Sequence, residues 1–213
     1  MNNLIQSLKN NKGFILLICL YAFSRTAYAD WSRVPTGSME PTIYAGDLLL
    51  VNKTAFGPSI PFLNIKLWSN GTPVRGDIIT FIPPHTSDLF VKRVIAVPGD
   101  NLVFENESLF INDQPISHEL ISSDSQSTII NESLNTISHR IKFSADTPAP
   151  SASFNLTLPE NKYFVMGDHR NNSSDSRYWG FVDEKNNMGR VDKLALSFSS
   201  ERSFFKSIGL KLQ

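Results

Sequence analysis

The chain has 213 residues, with 20 Lys and Arg against 20 Asp and Glu, and so a formal net charge of zero. That length suits one domain of moderate size or one domain carrying an insertion, and a neutral chain without a basic run lacks the electrostatic footprint of a nucleic-acid binder. The single cysteine, Cys19, excludes an intrachain disulfide or a thiolate cluster, and the four histidines show no metal-ligand spacing, so no metal and no cofactor is expected.

Residues 1–13, with Lys9 and Lys12, read as a cytoplasmic N-terminus, and 14–30 as one N-terminal membrane helix, the transmembrane anchor. Its apolar part, Phe14 to Phe23, is shorter than the roughly 20 residues of a full span, and Arg25 follows it. Two readings compete. A cleavable signal peptide fits Ala27 and Ala29, small residues in Ala-x-Ala register before Asp30. An uncleaved anchor fits if Arg25 snorkels to the outer interface, with Tyr28 and Trp31 at headgroup level. Either way the rest of the chain is exported.

Val34 to Thr42 comes next. Pro35 and Pro41 each remove a backbone donor and Gly37 is free to adopt shapes closed to other residues, so the stretch reads as a stiff turn presenting Ser38. After the Gly46-Asp47 turn the sequence turns to strands: Leu48 to Val51, then Ile78 to Ile82 behind Arg75-Gly76-Asp77, then Leu89 to Val97. Ala55 to Thr72 between them is loop-like, with Phe62 and Trp68 as packing residues. Pro98-Gly99-Asp100 suits a type II turn, and Leu102–Phe104 with Leu109–Ile111 suits a hairpin. Between about Pro115 and Pro159, Ser, Asn, Thr and Pro dominate, which marks an insertion. Strands resume at Lys162–Met166, and after the loop Gly167–Arg177 at Lys193–Phe198. The expected fold is mainly β: bent antiparallel sheets form a barrel-like core from 31–104 and 158–200, with an inserted β-rich sub-domain at 105–157 and a tail at 201–213.

A serine hydroxyl needs a base to act as a nucleophile. Of the histidines, His85, His118, His139 and His169, none has neighbours that mark it as that base, and most read as surface residues. Lys92 is the stronger option. In a strand it shares a face with Phe90 and Val94, while Val91, Arg93 and Ile95 share the other. Burial would lower its pKa from about 10.4 toward neutrality, whereas Arg93 would stay charged. The competing reading is an edge-strand lysine that guards against aggregation.

The motifs, taken in order, resemble those of bacterial type I signal peptidases, membrane-anchored serine proteases that remove signal peptides with a Ser-Lys dyad. They are Pro35-Thr36-Gly37-Ser38-Met39 with Pro41-Thr42, Gly46-Asp47, and Arg75-Gly76-Asp77-Ile78. Val91-Lys92-Arg93-Val94 with Pro98-Gly99-Asp100 follows, then Phe164 to Asp168 and Asp175 to Gly180. The resemblance implies Ser38 as nucleophile, Lys92 as general base, Ser173 as the hydroxyl orienting that lysine, and the Ser38 N–H with the Thr36 hydroxyl as oxyanion hole. It implies ion pairs Asp175–Arg177 and Asp168–Arg93 bracing the loop, and Val34, Pro35, Met39, Ile43, Phe90 and Val91 lining the substrate pockets, although each of the six equally suits a core. The implied partners are preprotein signal peptides and the lipid bilayer. The implied setting is a single-pass monomer in the cytoplasmic membrane, with its catalytic domain on the outer side.

In two places this chain departs from the family's Gly-Asp-Asn-Arg-Asp-Asn-Ser: His169 replaces an amide and Asn171 a carboxylate. A dedicated processing enzyme for a pilin or conjugation-transfer precursor, and an inactive peptide-binding β module, are the alternative readings.

Overall fold

The computed structural model describes residues 11–14, 16–17, 29–57, 59–60, 65–66, 70–105, 108–134, 137–148 and 153–212. Most of the expected membrane segment, along with Phe62 and Trp68, lies outside these. No helix among the described residues is long and apolar enough to cross a membrane.

Among the described residues, sixteen strands run in chain order. The first six are β1 (Ala29–Arg33), β2 (Asp47–Asn52), β3 (Ser59–Ile60), β4 (Ile65–Lys66), β5 (Ile78–Phe81) and β6 (Phe90–Ala96). They are followed by β7 (Asn101–Glu105), β8 (Ser108–Ile111), β9 (Gln114–Pro115), β10 (Ser117–Ser123), β11 (Ser127–Leu134) and β12 (Ile137–Ser144). The last four are β13 (Phe154–Thr157), β14 (Lys162–Met166), β15 (Val182–Asp183) and β16 (Asn187–Ser197). Seven of them form one sheet in the order β1-β2-β16-β5-β6-β14-β15, and its pairs are antiparallel. Register shifts in β14 and β16 bend it, and no pair joins β1 to β15, so it curls into a half-barrel.

β6 lies between β5 and β14 in that sheet, and although β14 pairs only from Arg93 onward, Lys92 is 4% exposed, a burial that removes its reading as a solvent-facing guard against aggregation. Both faces of β6 are covered. Phe90 and Val94 pack with Phe81, Tyr163 and Val165, whereas Val91 packs with Val34, Met39 and Leu49. Each large apolar side chain fully buried this way contributes about 1.5–3 kcal/mol. The expected turn after β6 forms, with Gly99 at φ 85° and the Asp100 N–H donating to Val97 O at 3.1 Å. β7 and β8 pair as the expected hairpin. β13 returns to β7, so the sheet β13-β7-β8-β9 takes strands from both sides of the expected boundary at 104/105.

The insertion carries its own sheet, β10-β11-β12. β10 is exposed along its length, while Glu132 and Leu134 of β11 and His139 and Ile141 of β12 point inward. This corrects the surface reading of two histidines: His139 is 4% exposed and His169 3% exposed. His139 alternates with Ile141 on the inward face of β12, and a period-2 strand places both on one side. His85 and His118 are exposed, as expected.

Glu132 is completely buried and holds both terminal nitrogens of Arg170, one of them at 2.6 Å, with His118 Nε2 at 2.9 Å. Burial alone would push its carboxyl upward, but the Arg170 guanidinium and the two histidine contacts outweigh it and hold the pKa well below the ordinary carboxylate value. A depressed carboxylate contributes its stability above its unfolded pKa, so that contribution is complete at neutral pH and lost only as acid protonates it. Removing one partner leaves a buried charge, and Arg170→Met should cost about 3–5 kcal/mol of unfolding free energy by urea denaturation. The double variant Arg170→Met with Glu132→Met should cost less than that single change.

Candidate active site

Ser38 and Lys92 are 54 residues apart in sequence. The turn carrying Ser38 is tied to the start of β2, where the Val34 N–H donates to Asp47 O and the Gly46 N–H to Val34 O, both at 2.9 Å. Met39 and Ile43, 1% and 0% exposed, anchor it in the core from below. The intervening residues cannot sink with them, and Ser38 is left half-buried above the middle of β6. There Lys92 Nζ donates to Ser38 Oγ at 2.6 Å.

The lysine is 4% exposed, and burial is the largest influence on it, lowering its pKa to about 8. Asp175 and Asp168 pull the value back up and Arg177 pushes it down. Both carboxylates are already engaged. Asp168 accepts from Arg93 Nε at 2.9 Å, from its Nη2 at 2.7 Å and from the Thr42 hydroxyl. Asp175 accepts from Arg177 Nε and Nη2, each at 2.8 Å. The two ion pairs expected from sequence are thus present, with all four side chains 0–1% exposed.

The loop after β14 passes under the Ser38 turn. Its Gly167 sits where a Cβ would run into the Ser38 carbonyl and the Ser173 side chain, so only glycine permits the approach. Ser173 does not make the contact expected of it. Its hydroxyl is buried and has no hydrogen-bond partner among the described residues.

His169 and Asn171, the two departures in this loop, both make structural bonds. The His169 N–H donates to Ser38 O at 3.1 Å, and its ring spans from Gly37 O, 3.2 Å from Nδ1, to Ser144 Oγ, 2.7 Å from Nε2. Burial leads in lowering its pKa, so the ring is neutral at pH 7, with Nδ1–H donating to Gly37 and Nε2 accepting from Ser144. Asn171 accepts from the Ser144 N–H at 2.9 Å and donates to Ser144 O and Thr147 O.

Beside Ser38 lies a cleft of about 420 Å³. Val34, Pro35, Met39, Phe90 and Val91 line it together with Thr36, Ser38 and Lys92, whereas Ile43 lies in the core beneath and does not line it. The Thr36 hydroxyl is 3.5 Å from Ser38 Oγ. Arg33, Asp88 and Leu89 also line the cleft, and of these sequence reasoning passed over Arg33 and Asp88. It also missed Glu40 and Lys142, which pair at 2.8 Å beside the turn. Glu40 sits inside the motif that drew attention to Ser38, so proximity was a usable signal; a lysine in a polar insertion offered none.

A serine hydroxyl in contact with a buried amine, beside an apolar cleft on a curled antiparallel sheet, is the arrangement that a hydrolase with a serine nucleophile would use. The chain belongs to the family described as signal peptidase, peptidase S26, whose model matches residues 8–195, and it is accordingly a serine endopeptidase. It is 30% identical over 203 residues to the signal peptidase I of Pseudomonas aeruginosa, covering 88% of this chain and 72% of that one. It is 30% identical over 214 residues to the signal peptidase I of Aquifex aeolicus, covering 83% and 79%. A solved signal peptidase I from Enterococcus faecalis V583 shares 30% sequence identity over 58% of this chain and 99% of that one, with a TM-score of 0.38.

A lysine whose folded pKa of about 8 lies below its ordinary 10.5 destabilises the fold wherever it must carry a proton. The penalty is complete below pH 8 and gone above 10.5. Lys92→Met should therefore raise unfolding free energy at pH 7 by up to about 3 kcal/mol, and the gain should shrink as pH rises from 8 to 10.5 in denaturation series.

Proposed function

We propose that this protein removes N-terminal signal peptides from exported preproteins by Ser–Lys acyl-enzyme catalysis. The observation that carries the reading is the 2.6 Å contact between a buried Lys92 amine and the Ser38 hydroxyl. Once neutral, Lys92 accepts the Ser38 proton, and Oγ attacks the scissile carbonyl. The Ser38 N–H and the Thr36 hydroxyl face the developing oxyanion, a donor of this kind contributing about 10²–10³ in rate. The Lys92 ammonium then protonates the leaving amine, which departs with its peptide. Water hydrolyses the ester, with Lys92 again as base, and returns the enzyme to its starting state.

The sheet leaves room for an extended substrate. β14 pairs with β6 only at Arg93, Val94 and Ala96, so among the described residues the β14 side of Phe90 to Lys92 carries no strand. A signal-peptide segment lying there would add a strand to β6 and direct alternate side chains into the cleft. Walls made of Val34, Met39, Phe90 and Val91 favour small apolar side chains, which suits Ala-x-Ala sites. The setting that goes with this substrate is the cytoplasmic membrane, with residues 14–30 as the anchor and the site on the outer side.

Cleavage of an Ala-x-Ala peptide should rise with pH on a limb of apparent pKa about 8, because only the neutral amine is a base. About a tenth of the enzyme is competent at pH 7 and about nine-tenths at pH 9, so kcat/KM should gain close to tenfold. Ser38→Ala and Lys92→Arg should each abolish turnover without unfolding the protein, since a guanidinium cannot deprotonate. Turnover retained by Lys92→Arg would refute the assigned base.

A further inference from the structure

The inserted sub-domain reaches the nucleophile. The end of β12 lies alongside the loop after β14: the Lys142 N–H donates to Asp168 O, and the Arg170 N–H to Lys142 O, both at 2.8 Å. From this strip two side chains continue to the Ser38 turn. Lys142 Nζ pairs with Glu40 Oε2 at 2.8 Å, and the Glu40 carboxylate lies folded over Gly37, where a Cβ would collide with it. Ser144 Oγ holds His169 Nε2 at 2.7 Å, while the other ring nitrogen donates to Gly37 O and the His169 N–H to Ser38 O. The carbonyls before and after the Ser38 nitrogen are therefore both held by one residue, and a strand outside the core orients that residue.

These contacts add little global stability. The Lys142 and Glu40 side chains are 23% and 21% exposed, and pairs that water reaches are worth at most about 1 kcal/mol. Their leverage is geometric. The Ser38 hydroxyl hangs from the peptide they hold, and an error of ~1 Å at a reacting atom costs on the order of 10²-fold in rate. We propose that β12 is a positioning element for the nucleophile, Lys142 acting through Glu40 and Ser144 through His169 on the Gly37–Ser38 peptide. The proposal rests on the reading of Ser38 as nucleophile.

Steady-state cleavage of an Ala-x-Ala signal peptide by the full chain tests it, well below the unfolding midpoint of each variant. Lys142→Met keeps the stem and removes the cation; it should lower kcat roughly 10- to 100-fold, leave KM within about threefold and leave the apparent pKa of the pH profile in place. Lys142→Arg restores a cation to Glu40 and should stay within about threefold of the unaltered enzyme. Ser144→Ala should lower kcat in the same direction. Lys162→Met, which breaks the 2.6 Å pair with Asp183 at 33% and 32% exposure, should leave kcat unchanged. If Lys142→Met fails to fold, Glu40→Gln removes the same ion pair and should show the same loss.

An unchanged kcat in the ion-pair variant would overturn the proposal, as would an equal loss in Lys162→Met or in Lys142→Arg. Failure of the underlying reading looks different: turnover surviving in Ser38→Ala removes the nucleophile itself, whatever Lys142 does.

Discussion

A lysine amine held dry against a serine hydroxyl is the contact on which the rest of this molecule depends. Water would keep Lys92 protonated at neutral pH, and a protonated amine cannot take a proton from Ser38. Three layers exclude that water: β5 paired along one side of β6, the Phe90 ring 5.5 Å from Nζ, and the Ser38 turn above. Two buried carboxylates stand close enough to restore the charge, and each is committed to an arginine. The amine is left with a pKa near 8, within the range that the proposed general-base role requires.

The loop from Gly167 to Arg177 connects this site to everything else. Asp175 accepts the Gly167 N–H at 2.9 Å and pairs with Arg177, which donates onward to Arg170 O at 2.6 Å. Arg170 points away from the site into the insertion and meets Glu132 there, while His169, its neighbour, points back under Ser38. One strand of the loop thus faces the chemistry and the sub-domain in alternate residues. That geometry ties the insertion to the site, although its composition resembles that of a solvated appendage.

Much of this was legible in the sequence where the cause is local. Lys162–Met166 is a strand because five apolar or amphipathic residues follow a turn, and its observed bounds are the expected ones. Pro98-Gly99-Asp100 encodes its own turn. The length of β16 was not legible: it begins at Asn187, six residues before the expected Lys193, because pairing with β5 extends it through a polar stretch. At the site, the pairing of Ser38 with Lys92 and the two carboxylate–arginine pairs followed from family motifs. Lys142 and Glu132 were invisible because their meaning comes from partners 102 and 38 residues away. Ser173, a motif residue, has a buried hydroxyl that makes no hydrogen bond among the described residues.

The most direct measurement is the titration of the Lys92 amine itself, followed by NMR on protein carrying labelled lysine and assigned with a Lys92→Met variant. A midpoint near 8 for Lys92, well below the 10.5 of an ordinary lysine, is the predicted result. A Lys92 midpoint at that ordinary value would contradict the dry amine and, with it, the role proposed for Ser38.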